Sequence, residues 1–245
     1  MFISYFIFWR VSMKIDVVIS AKYIEEEKLR GKAAVIIDTL RATSTITTAL
    51  NNGAKEVIPV LTVEEALAMR QSLGTGLLGG ERKGLKISGF DMSNSPQDYN
   101  KQTVEGETII FTTTNGTRAI RGAKYAEDIL IASVLNGKSV SEELINLDKD
   151  IVIINAGTYD EFSIDDFLTA GYIIDLISEK KELKLTDIAK TAQYMYRNNN
   201  DFSFAENAAH YKRMIEIEQF DDLKYCFKKD LINIVPKYNN GIIKL

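Results

Sequence analysis

Val152-Ile-Ile-Asn-Ala-Gly-Thr-Tyr-Asp-Glu-Phe-Ser-Ile-Asp-Asp166 is the stretch on which the reading of the fold turns. Its first half is an unbroken apolar run. Its second half places Asp160, Glu161, Asp165 and Asp166 in one short turn and the start of a helix. A strand apolar at every position is covered on both faces, as in the parallel sheets of α/β proteins. Carboxylates this close repel and raise one another's pKa. A hard divalent cation relieves that repulsion, and Mg²⁺ suits it because it takes oxygen ligands and keeps waters for chemistry. A second reading needs no ion: Ser163 with Asp166 makes an acidic helix N-cap on a surface turn.

The same pattern recurs along the chain. Ala33-Ala-Val-Ile-Ile37 runs into Asp38-Thr-Leu-Arg-Ala-Thr-Ser-Thr45 and a helix to Leu50, stopped by Asn52-Gly53. Gly76-Leu-Leu-Gly-Gly80 runs into Glu81-Arg-Lys-Gly84, and Thr108-Ile-Ile-Phe111 into Thr112-Thr-Thr-Asn-Gly-Thr-Arg118. Further strands are expected at Lys14 to Ile19, Glu56 to Val60 and Asp128 to Ile131, with Pro59 suggesting an edge strand. Leu231 to Val235 and Ile242-Ile243, around Asn239-Asn-Gly241, suggest a final strand or a small hairpin. Helices are expected over Thr62 to Arg70, opened by a Thr-x-x-Glu capping box, over Lys138 to Leu147, and from Ile164 to about Glu179. Leu185 to Lys229 reads as helix in pieces, broken at Asn198-Asn-Asn200.

Strand alternating with helix predicts a three-layer α/β/α fold with a largely parallel or mixed sheet, in one domain over 13–245. Ligands of such sheets sit beyond the carboxyl ends of the strands. Four strand ends carry polar motifs here, which points to one site. Residues 1–12 are expected to form a loose extension. Their apolar start is too short for a membrane span and lacks the features of a signal peptide, and the globular pattern begins at Met13.

Composition narrows the partners. The net charge of -4 and the lack of a basic run argue against nucleic acid. No stretch calls for a membrane. One cysteine, Cys226, excludes an intrachain disulfide and Cys-rich zinc sites, in keeping with a cytoplasmic location. One histidine, His210, lies far along the chain from the motifs and argues against histidine-based phosphotransfer. The P-loop, the Gly-x-Gly-x-x-Gly fingerprint and the Cys-x₅-Arg loop are absent. Asp148-Lys-Asp150-Ile-Val152 mimics an aspartyl-phosphate motif but precedes its strand rather than following it. What remains is carboxylates, arginines and hydroxyls, suited to metal-assisted chemistry on an anionic ester.

Thr113, Thr114, Asn115, Gly116 and Thr117 form a candidate phosphate or sulfonate cradle, in which Gly116 permits close approach and hydroxyls add donors. Arg41, Arg82, Lys83 and Arg118 can supply positive charge. Ser95, at the Ser-Pro helix start, is a further candidate contact. Asp38 is a metal ligand or nucleophile, or else an N-cap or a partner of Arg41. Asp91 and Asn94 serve equally well as turn residues.

Asp38-Thr-Leu-Arg-Ala-Thr-Ser-Thr, Leu78-Gly-Gly-Glu-Arg-x-Gly, Gly89-Phe-Asp-x-x-Asn-Ser-Pro, Thr112-Thr-Thr-Asn-Gly-Thr and Ala156-Gly-x-x-x-Glu-Phe-Ser-x-Asp-Asp together resemble the 2-phosphosulfolactate phosphatases. The resemblance runs from about Met13 to the C-terminus. Two departures are Ser93, where glycine is usual, and Ala205 to Arg213, where a Gly-Arg-Arg-like stretch is expected. The resemblance implies a Mg²⁺-dependent phosphatase of coenzyme M biosynthesis, which converts 2-phosphosulfolactate, or a close relative, to sulfolactate and phosphate. On that reading Asp38, Glu161 and Asp165 hold the metal and activate water, and with Arg41 form the catalytic set. Arg82, Ser95 and the 113–117 loop bind substrate. A homo-oligomer is left open. The rival readings are a non-catalytic sensor of small sulfonated or phosphorylated acids and a structural oligomerisation protein whose polar strand ends are only caps.

Overall fold

The computed structural model describes residues 12–245, so the expected extension falls outside it apart from Ser12. In chain order the elements are β1 (Met13–Val18), β2 (Ala33–Ile37), α1 (Ala42–Asn51), β3 (Glu56–Pro59), α2 (Val63–Leu73), β4 (Leu77–Arg82), β5 (Leu85–Lys86), α3 (Lys101–Val104), β6 (Thr108–Thr112) and α4 (Gly116–Gly122). There follow β7 (Asp128–Ala132), α5 (Gly137–Leu147), β8 (Ile151–Asn155), α6 (Ile164–Ser178), β9 (Leu183–Leu185), α7 (Asp187–Arg197), α8 (Ala209–Glu216), α9 (Phe220–Cys226), β10 (Lys237–Asn239) and β11 (Ile242–Lys244). Among the described residues no helix is long and apolar enough to cross a membrane.

The strands form one mixed sheet in the order β5-β4-β6-β3-β11-β10-β7-β2-β8-β1-β9. In one half, β7, β2, β8, β1 and β9 pair in parallel. In the other, β3, β6 and β4 do so. The C-terminal hairpin β10–β11, turned at Asn240-Gly241 with φ of 49° and 88°, is inserted between them. It pairs antiparallel with β7 on one side and β3 on the other. Three antiparallel pairings in succession reverse the strand sense between the halves, so the sheet is not parallel throughout. Pro59 is therefore in an interior strand, not an edge. It ends β3, beyond the lone Val57–Ile243 pairing with β11, so its missing N–H breaks no ladder.

Alternation assigns the faces. Ala34 and Ile36 of β2, with Val152 and Ile154 of β8, point toward α1 and α4, where Ile46, Ala49, Ala119 and Ile120 meet them. Ala33, Val35 and Ile37 point the other way, onto α5, α6 and α7 through Val140, Leu144, Ile173 and Ala192. Helices on both faces give the three layers. Val57, Ile109 and Phe111 of the opposite half join the same core as Ile36. About 20–25° of twist per strand step accumulates between β6 and β2. The helices α1 and α4 pack against strands of both halves. Strands of both halves bring residues just past their carboxyl ends to one cavity. The helix α2 covers the far side of β3, β4 and β6 through Ala66. The helices α8 and α9 lie over the strand ends, with Met214, Leu223 and Cys226 packed on Leu40.

Candidate active site

A cavity of ≈ 260 Å³ opens where the ends of β2, β4, β6 and β8 meet α8. Asp38 and Arg41 line it from the β2 end, Glu81 and Lys83 from β4, Asn94 from the long loop, and Thr114 and Asn115 from the β6 end. Thr158 and Tyr159 come from the β8 end, and His210, Arg213 and Glu216 from α8.

Hydroxyls shape the turn that holds Asp38. Thr43 Oγ1 accepts from Asp38 N at 3.0 Å, Ser44 Oγ donates to Thr39 O at 2.8 Å, and Thr45 Oγ1 donates to Asn94 O at 2.9 Å. Asp38 Oδ1 accepts from Ala42 N at 3.1 Å, so one oxygen caps α1 and Oδ2 remains without a hydrogen bond among the described residues. Burial pushes the Asp38 carboxyl up to about 7, with help from Asp165 and Glu81. The Ala42 N–H and Arg41 oppose that rise. A carboxyl titrating there can take and release a proton at neutral pH.

Arg41 is 2 % exposed and does not pair with Asp38. Its Nη1 donates to Asp222 Oδ2 at 2.6 Å and to Gln219 Oε1 at 3.1 Å, and its Nη2 to Gly84 O at 2.7 Å. Its Nε has no partner. Ser95 donates to Asp222 Oδ1 at 2.6 Å, so it braces the partner of Arg41 while its neighbour Asn94 reaches the cavity. Glu81 is held at both oxygens, by Gly84 N at 2.7 Å and Thr114 N at 2.8 Å. It ties the two strand ends together. Arg82 turns back to Glu81 O, Leu61 O and Thr112 Oγ1 and does not line the cavity.

The Thr-rich loop contributes less than its composition suggests. Thr113 and Thr117 face each other: Thr117 N donates to Thr113 Oγ1 at 3.2 Å, and Thr117 Oγ1 donates to Thr113 O at 3.0 Å. Thr114 and Asn115 line the cavity, and the buried Thr114 Oγ1 has no partner. Gly116 provides close approach, to Asp38, as expected of a glycine there.

Of the four acidic residues after β8, two turn inward. Asp166 Oδ1 accepts from Thr39 N at 2.9 Å and Oδ2 from Gly157 N at 3.0 Å, which ties α6 to the β2 end. Burial, with Asp165 and Asp38 beside it, holds its carboxyl well above the ordinary range. Asp165 is buried and accepts a hydrogen bond from Ser163. Glu161 and Asp160 lie in a tight hairpin turn, Thr158 to Glu161, with φ of 51° at Tyr159 and 67° at Asp160. There Glu161 is exposed, and Asp160 pairs with Arg118 at 2.7 Å. The set Asp38, Glu161 and Asp165 is thus not assembled. Among the described residues no group of three or more His, Cys, Asp or Glu side chains could enclose a metal. The carboxylates that gather around Asp38 are Asp165, Asp166 and Glu81.

His210 is the residue the sequence reading set aside and the fold brings in. It lines the cavity one helical turn before Arg213. Burial lowers its imidazole, Asp165 raises it and Arg41 lowers it further, so it is neutral at neutral pH. The one available signal was the His-x-x-Arg spacing, which puts both side chains on one helix face. Cys226, by contrast, is buried and pushed up to about 12 by that burial, a thiol unfit as a nucleophile.

The family model for 2-phosphosulpholactate phosphatase matches residues 18–241. The chain is 58% identical over 234 residues to a protein of Clostridium acetobutylicum named "Probable 2-phosphosulfolactate phosphatase", covering 94% of this chain and 100% of that one. Proteins of the same name from Clostridium tetani and Clostridium kluyveri are 57% and 51% identical, each over 95% of this chain, covering 100% and 98% of theirs. The match spans every strand end that lines the cavity, and the chain belongs to the 2-phosphosulfolactate phosphatase family.

Proposed function

We propose that the chain hydrolyses 2-phosphosulfolactate, or a closely related anionic phospho-hydroxy acid, to the hydroxy acid and phosphate, with Mg²⁺ as its metal. Family membership supports phosphatase chemistry on that substrate. Within the site, one observation carries the reading. Arg41 Nε, Asn94 Oδ1 and Thr114 Oγ1 are buried, unpartnered and gathered on one cavity with Asp38. Buried polar atoms without partners are costly, and a phosphoryl group among them satisfies the two donors, Arg41 and Thr114.

The donor set fits Mg²⁺ in its usual manner, with one or two carboxylates and the other ligands drawn from water and phosphate oxygens. Asp38 would hold it through the free Oδ2, with Asp165 as the neighbouring carboxylate whose second oxygen is free. Bound Mg²⁺ would neutralise charge on the phosphoryl oxygens and acidify water. Asp38 accepts the proton of the attacking water on Oδ1, the oxygen the metal leaves uncoordinated, as the new P–O bond forms. The ester P–O bond breaks, and the leaving oxygen takes a proton from solvent. Arg41 and Thr114 hold the phosphoryl oxygens as charge develops on them. Glu81 keeps the β4 and β6 ends fixed around the reacting group.

Phosphate release from a panel of phosphorylated hydroxy acids, with Mg²⁺ and with EDTA, tests the reading. Release from 2-phosphosulfolactate that depends on Mg²⁺ is expected. Binding without release would favour the sensor reading, and full release after exhaustive chelation would remove the metal from the mechanism.

A further inference from the structure

The cavity has a buried end and a solvent end. Asp38, Arg41, Asn94 and Thr114 are buried or nearly so, whereas Lys83 is exposed and Arg213 half-buried. Lys83 and Gly84, with φ of 56° and 84°, form the turn between β4 and β5. A positive φ is uncommon for a long side chain, and strain of this kind collects at ligand clamps. The turn is held from both sides: Arg41 Nη2 donates to Gly84 O at 2.7 Å, and Arg213 Nη2 donates to Lys83 O at 3.3 Å. Lys83 is thereby fixed on the cavity wall, and among the described residues its ammonium makes no ion pair. Glu216 braces Arg213, accepting from Nη1 at 2.9 Å, and leaves other guanidinium N–H groups uncommitted.

We propose that Lys83 and Arg213 form a second anion subsite at the mouth of the cavity, which holds the acid group of the substrate that is not transferred. The inference rests on the phosphatase reading above. The ligand chemistry is a fully ionised sulfonate or carboxylate, for which the planar guanidinium offers paired donors and the ammonium a point charge. The buried end then positions the phosphoryl group, and the mouth selects for a second charge. A simple phosphate monoester fills only the first.

The test compares 2-phosphosulfolactate, 2-phospholactate and ethyl phosphate, which carry sulfonate plus carboxylate, carboxylate alone, and neither. Arg213→Met should lower the kcat/KM preference for 2-phosphosulfolactate over ethyl phosphate by about tenfold or more, a loss of about 1.4 kcal/mol in discrimination. The change should appear chiefly in KM. Lys83→Met should act in the same direction, and Arg213→Lys should recover part of the loss. If the preference over 2-phospholactate also falls, the subsite reads sulfonate; if it holds, the subsite reads carboxylate. Equal loss on all three substrates, or none, overturns the proposal. Calorimetric binding of sulfolactate and lactate keeps the two readings apart. If the wild type turns nothing over, sulfolactate binding that weakens in Arg213→Met upholds the subsite while the hydrolytic reading falls. Binding unchanged in that variant overturns the subsite.

Discussion

Gly116 lies against Asp38 so closely that a methyl group on it would stand 2.7 Å from Asp38 Oδ2 and 2.5 Å from Ala42 Cβ. Its φ is not in the left-handed region, so the missing side chain matters here and backbone freedom does not. The contact joins the start of α4, fed by β6, to the end of β2 in the opposite half of the sheet.

Gly116→Ala should therefore strain the site rather than the helix. Overpacking of this kind costs about 1–3 kcal/mol, and displacement of Asp38 by even about 1 Å can cost on the order of 100-fold in rate. Thermal melts and kcat on the same preparation check it. A variant that matches the wild type in both would mean that the two groups have room to spare.

The raised Asp38 carboxyl makes stability depend on pH. Its folded value of about 7 lies above the ordinary value of 3.8. Between those values the native state holds a proton that the unfolded chain has released, so stability falls as pH rises through that window. Asp38→Asn removes the titration. In EDTA at pH 8 the variant should melt above the wild type, with the gap closing toward pH 4, while its turnover is lost. A variant less stable than the wild type at pH 8 would show that the carboxylate is stabilised in place.

Arg41 and Asp222 are each 2 % exposed and meet at 2.6 Å. Asp222→Ala leaves the guanidinium charge buried without its partner and should cost about 3–5 kcal/mol in denaturant unfolding. Ser95 loses its acceptor in the same variant, so Ser95→Ala alone should cost less, about 1 kcal/mol. A loss for Asp222→Ala below that of Ser95→Ala would place the charge balance of Arg41 elsewhere.

Asp165 and Glu161 separate the buried carboxylates from the exposed turn. Glu161→Gln should leave stability within about 0.5 kcal/mol, as surface changes do, and leave phosphate release nearly unchanged. Asp165→Asn should abolish most of the release. The opposite ranking would return Glu161 to the metal site.

Much of the fold is legible in the chain because its signals are local. The apolar runs of β2, β6 and β8, the capping box Thr62–Glu65 and the Asn240-Gly241 turn each depend on neighbours a few residues apart. The polar ends of β2, β4 and β6 are likewise legible, and Asp38, Arg41 and Thr114 do meet on one cavity. Less legible is which way each side chain turns once there. Arg82 satisfies backbone carbonyls, Thr113 and Thr117 satisfy each other, and Glu161 faces solvent from a turn whose two positive φ values swing it outward.

Adjacent residues alone dictate the α/β class, the family and the strand ends at which chemistry collects, since periodicity and motif order are properties of neighbours in the chain. How those ends converge is a matter of tertiary packing. A C-terminal hairpin reverses the sense of half the sheet, α1 and α4 pack against both halves, and α8 closes over the strand ends. That closure carries His210 and Arg213 to Asp38 from more than half the chain away. Such a meeting is set by hydrophobic burial summed over the whole core, and no window of sequence contains it.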